Sequence, residues 1–140
     1  MFPICQLILG YRQIYNVFGS GCHHKPYLNF MEKAKKRNLK NCSIGPIHAA
    51  GTRMGGYWYC FHRYLHLHNV LKDTVMCPAW QKEVTFYSKK ELKEKVANII
   101  LNESYLKAVK AFVIILHPMI CCLWLANSNK PRMDKIWYYV

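Results

Sequence analysis

From Ala111 to Ala126 the chain reads AFVIILHPMICCLWLA, 16 residues without one formal charge. A stretch this apolar has to be hidden from water, either inside a protein or in lipid. Crossing a bilayer takes roughly 20 apolar residues, and His117-Pro118 falls in the middle of the run. The pattern therefore predicts a buried helix that Pro118 bends or divides, because proline removes the amide that would reach the Ile114 carbonyl. The alternative is a small membrane-associated protein anchored by residues 111–126. Lys107, Lys110 and Lys130 flank the run on both sides, so no charge asymmetry orients it across a membrane.

A buried helix needs neighbours, and the rest of the sequence supplies helical periods. After Gly55-Gly56, the residues Tyr57, Phe61, Tyr64, Leu67, Leu71 and Val75 recur every three or four positions and predict a long helix that Cys77-Pro78 stops. Ser88 and Glu91 form a capping box ahead of Leu92, Val96, Ile99 and Ile100. Another helix is predicted from Asn102 to Ser104 onward through Tyr105, Val109, Phe112 and Leu116. Pro26 opens one toward Arg37, with Tyr27, Phe30, Met31 and Ala34 on one side, and Pro131 opens a last one carrying Met133, Ile136, Trp137 and Val140. Residues 1–25 show little clear period and read as a poorly defined lead-in, and 38–51 read as a loop.

Five helical patterns without a strand predict an all-α, irregular helical assembly forming a single incomplete domain over 1–140. A chain of 140 residues can bury about two-thirds of its unfolded surface. Its 52% hydrophobic content argues against intrinsic disorder. Trp58, Phe61, Trp80, Trp124 and Trp137 read as core anchors rather than stacking platforms.

Charge narrows the choice of partners. Lys and Arg number 20 against 7 for Asp and Glu, a net +13 that suits a polyanion such as nucleic acid or an acidic membrane surface. Lys33, Lys35, Lys36, Arg37 and Lys40 are the candidate backbone-binding stripe, with a solvated helix face as the other reading. The acids are only Asp73, Asp134, Glu32, Glu83, Glu91, Glu94 and Glu103. Most lie among lysines on helix faces, which argues against a paired-carboxylate or metal-carboxylate active site, so neither an enzyme nor a cofactor is expected. Seven cysteines, an odd number with no C-x-x-C pair, read as reduced thiols of the cytosol or nucleus. A zinc-binding module built from Cys22, His24, Cys60 and His62 is the remaining alternative.

Two segments read together resemble the plant and fungal hAT-type transposases. The first runs Gly51-Thr52-Arg53-Met54-Gly55-Gly56-Tyr57-Trp58, continues from Phe61 to Lys72 and closes in Thr74-Val75-Met76-Cys77-Pro78-Ala79-Trp80. It is similar to the family's T-R-(W/F/M) motif, the leucine-patterned helix behind it and the short segment ending in Trp. The second comprises Asn102-Glu103-Ser104-Tyr105-Leu106-Lys107-Ala108-Val109, Leu116-His117-Pro118-Met119-Ile120, Leu123 to Pro131, and Met133 to Tyr138. It is similar to the family's F-W-K-x-V, L-x-P-(L/I)-I, L-R-L-(A/V)-D-S-(D/N)-x-K-P and M-x-x-I-Y series. Met54, Tyr105, Leu125-Ala126 and Asn127 depart from the family's more usual residues.

The resemblance covers 52–140 and implies a piece of the helical domain inserted into a ribonuclease H-like core. It puts two members of the acidic triad before Met1 and the third after Val140. The implied protein is a truncated, noncatalytic hAT-like chain with weak, nonspecific DNA binding, no small-molecule substrate, and a nuclear location, cytoplasmic being the alternative. By resemblance Arg53 contacts phosphate or an unstacked base, whereas an arginine at a helix start paired with a carboxylate or carbonyl is the competing reading. Both ends are apolar, Phe2, Ile4, Leu7, Ile8 and Leu9 at one and Ile136 to Val140 at the other, which predicts self-association through them.

Overall fold

The structure is a computed structural model that describes residues 3–18, 32, 55–78, 80 and 90–127. Four helices are delimited among these residues, and no strand is present among them: α1 (Ile4–Phe18), α2 (Gly56–Met76), α3 (Lys90–Leu101) and α4 (Glu103–Ala126); Pro78 and Trp80 are helical as well. The all-α expectation holds. Of the helix predicted after Pro26, only Glu32 is described, and it is helical. Ser88, the 38–51 loop and the helix predicted after Pro131 lie outside the described residues.

The longest shared seam joins α2 to α4, and α3 packs against α1, α2 and α4. Every core position predicted for α2 from Phe61 to Val75 is buried, and Cys77 caps the helix where Pro78 forbids its continuation. Val96 and Ile100 carry α3 into the same core. Asn102 starts α4 as its N-cap, its side-chain oxygen accepting from the Ser104 amide at 2.9 Å and the Tyr105 amide at 3.3 Å. Rings fill the centre: Phe61 meets Tyr11 edge-on at 5.6 Å and Phe112 edge-on at 5.0 Å, and Phe18 stacks on Trp80 at 5.4 Å.

Two expectations are corrected. The lead-in assigned to residues 1–25 contains α1, whose Leu7, Tyr11, Ile14 and Phe18 are buried at helical spacing. Its period is hard to read because the opposite side is also apolar in part, with Ile4 and Leu9 exposed. Gly10 lets α1 approach α4 closely: a Cβ there would lie 2.9 Å from the Tyr105 ring, whose hydroxyl donates to the Leu7 carbonyl at 2.9 Å.

The second correction concerns Pro118. It neither divides α4 nor marks a buried segment, since the helix runs unbroken from Glu103 to Ala126 with the proline inside it. The carbonyl deprived of its intrahelical amide belongs to Ile114, a residue on the open side of the helix. Water can solvate it there, so continuity is tolerated.

Candidate functional site

None of the residues singled out for DNA contact, Arg53, Lys33, Lys35, Lys36, Arg37 and Lys40, is among the described residues. What the structure does define is the seam that follows Arg53 in sequence and the face of α4 behind it.

Gly55 opens the seam with φ 80°, in the left-handed region where a side chain costs about 1–2 kcal/mol. A second constraint acts there too, because a Cβ would sit 2.6 Å from Cδ1 of Ile120 on α4. One turn on, the buried Trp58 indole donates through Nε1 to the Val113 carbonyl at 2.9 Å. Its ring stacks with His62 at 4.8 Å and with His117 of α4 at 5.7 Å between centroids. His66 meets His62 edge-on at 4.7 Å, and Nε2 of His117 is 3.5 Å from Sγ of Cys121.

Imidazoles and a thiol thus line this seam. Among the described residues, however, no three His, Cys, Asp or Glu side chains are placed to hold a metal ion. The zinc module expected from Cys22, His24, Cys60 and His62 also meets a geometric obstacle. Cys60 and His62 are two residues apart on α2, so they diverge by about 200°. Cys60 is buried in the core, and His62 is exposed. Burial also pushes the Cys60 thiol up, only partly offset by its hydrogen bond with Tyr11, and a protonated thiol is a poor ligand. Cys22 and His24 lie outside the described residues.

The histidines make the seam sensitive to acid. Desolvation beside Trp58, then the proximity of His66 and His117, lowers His62. Burial, then Lys72 and Lys110, lowers His68, whose Nδ1 is 3.3 Å from the Tyr64 hydroxyl. A histidine lowered by folding binds its proton more readily when the chain is unfolded. Stability is therefore expected to be intact above the ordinary value of 6.5, to fall as pH drops through it, and to stop falling below the lowered folded values. Urea denaturation between neutral and mildly acidic pH measures this, and His62→Gln with His68→Gln should flatten the slope. An unchanged slope in the double variant would show that other groups govern the acid response.

The back of α4 is the feature that sequence reasoning missed. Ile114 is 72% exposed, Ile115 69%, Met119 58% and Trp124 72%, so Trp124 is not the core anchor expected. Trp58, Phe61 and Trp80 are buried as predicted, and Trp137 lies outside the described residues. Exposed Lys107 falls on the same stripe as Ile114, Pro118 and Leu125 by the 100° step of a helix, and exposed Lys110 precedes Ile114 by one turn. One signal was available: the run is apolar on all sides, whereas packing on a helix layer needs only one apolar stripe.

No protein-family model matches this chain, and no curated protein or solved structure matches it either.

Proposed function

We propose that this chain is a noncatalytic helical piece of a hAT-like transposase that retains weak, nonspecific affinity for DNA, needs no cofactor or small-molecule substrate, and resides in the nucleus. One observation supports the reading more than any other. The two segments that carry the family resemblance are those whose helices, α2 and α4, pack against each other along the main seam of the fold. Within that seam, motif residues meet motif residues, Gly55 facing Ile120 and the Trp58 ring stacking with His117. Asn102, which opens the second segment, caps α4.

The charge of +13 supplies the DNA affinity through counterion release, without reading sequence. Binding to duplex DNA is expected to be micromolar or weaker at physiological salt and to fall steeply as salt rises. Neutralising Lys33, Lys35, Lys36, Arg37 and Lys40 together should flatten the logarithmic salt slope by about 0.9 for each phosphate that no longer meets a positive side chain. Arg53→Ala should remove about one such pairing. Fluorescence anisotropy across a salt series, with Mg²⁺ present and strand cleavage monitored in the same samples, tests the whole reading. Salt-insensitive binding, preference for one sequence, or metal-dependent nicking that Asp73→Ala abolishes would overturn it.

A further inference from the structure

We propose that α4 docks lengthwise on a membrane surface bearing anionic headgroups, sinking Ile114 and Ile115 into the outer acyl layer with Met119 and Trp124 on its two flanks at headgroup level, while Lys107 and Lys110 lie against the headgroups. The inference goes beyond the transposase reading and rests on different observations.

The first is apolar exposure. By length and composition α4 could cross a membrane, yet only 17% of its apolar window is buried within the protein. Four large apolar side chains on one helix remain open to water. From Lys110 to Lys130 no Asp, Glu, Lys or Arg interrupts the chain, so no charge has to be desolvated when this face leaves water. The stretch from Ala111 to Ala126 spans about 24 Å along the helix axis.

The second is the placement of charge. Lys107 continues the outward stripe, Lys110 sits beside it, and the one carboxylate on α4, Glu103, lies a turn further back at the helix start. The net +13 adds long-range attraction to an anionic surface. An apolar face with lysines at one end and an exposed tryptophan at the other is the pattern of a helix lying in the interface, where indole rings settle at headgroup level.

The third observation distinguishes lying from crossing. The inward side of α4 is held to α2 through the Trp58 to Val113 hydrogen bond and the approach of Gly55 to Ile120, and to α1 through Tyr105. A helix crossing the bilayer would give up those interactions; one lying along the surface keeps them all.

The test uses the full 140-residue chain in flotation with phosphatidylcholine vesicles, with and without phosphatidylserine. Binding is expected only with phosphatidylserine, accompanied by a blue shift of tryptophan emission that Trp124→Phe removes. Ile115→Glu and Met119→Glu alter exposed positions, so thermal melts should match the parent while vesicle affinity falls at least about tenfold, the equivalent of one buried aliphatic side chain. Lys107→Gln and Lys110→Gln should each weaken binding about fivefold. Three results would overturn the proposal. One is phosphatidylserine binding untouched by the two glutamate variants, which makes the attraction charge alone. Another is a dimer that Ile115→Glu dissociates while no vesicle binds, which makes a second copy the occupant. The last is vesicle association that resists a carbonate wash, which makes α4 a spanning helix.

Discussion

Phe61→Ala is expected to cost about 3–5 kcal/mol, a large share of the total stability of about 5–15 kcal/mol usual for a domain. Phe61 is fully buried and joins three helices at once. Its ring meets Tyr11 of α1 edge-on, Tyr57 on its own helix at 6.3 Å, and Phe112 of α4 edge-on. Truncation leaves a void walled by these rings, which can close only if helices shift. Phe61→Leu keeps most of the volume and should cost much less, so the difference between the two variants separates the cavity from the aromatic packing. Urea denaturation followed by circular dichroism measures both. A destabilisation below about 1 kcal/mol in the alanine variant, far short of the usual cost of emptying such a site, would mean that Phe61 does not sit where α1, α2 and α4 converge.

Pro118→Ala is expected to act in the opposite direction. Proline in a helix interior is about 3 kcal/mol worse than alanine, because it deletes an amide and crowds the carbonyl four residues back. Here the orphaned carbonyl belongs to the outward residue Ile114, where water recovers part of the deficit. Alanine also returns freedom to the unfolded chain, an opposing effect of about 0.4–1 kcal/mol. A net stabilisation of about 1–2 kcal/mol should remain, seen as a higher melting temperature with unchanged helicity below the transition. Destabilisation by Pro118→Ala would indicate that the proline shapes a bend on which the seam with α2 depends.

Legibility varied from helix to helix for identifiable reasons. The register of α2 could be read because charged and polar residues such as Arg63, Asn69 and Lys72 separate its apolar stripe from its outward side. The start of α4 could be read because Asn102 is a side chain that serves a helix N-terminus. In α1 that contrast is weak: Arg12 is the one charged residue between Ile4 and Phe18. Glycine at position 10, a poor helix former taken alone, is there for the Tyr105 ring and not for the helix.

The run from Ala111 to Ala126 misled for the opposite reason. Hydrophobicity on every side marks a segment for burial without saying in what. Neighbouring helices cover the side that carries Val113 and Ile120 and leave Ile114, Ile115, Met119 and Trp124 open. The seam of His62, His66, His117 and Cys121 was invisible for a further reason: it joins residues more than fifty positions apart, and only the pairing of α2 with α4 brings them together.

That pairing, with one side of α4 locked to α2 and the other free, underlies both the transposase reading and the membrane proposal. Methyl NMR of the full chain with a water-soluble paramagnetic agent tests it directly. The expected result is a set of contacts from the Trp58 indole proton to Val113, strong protection of the Val113 and Ile120 methyls, and heavy broadening of the Ile114, Ile115 and Met119 methyls. Equal protection of both sets would contradict it by showing α4 enclosed all round, and equal broadening would contradict it by showing α4 detached from α2.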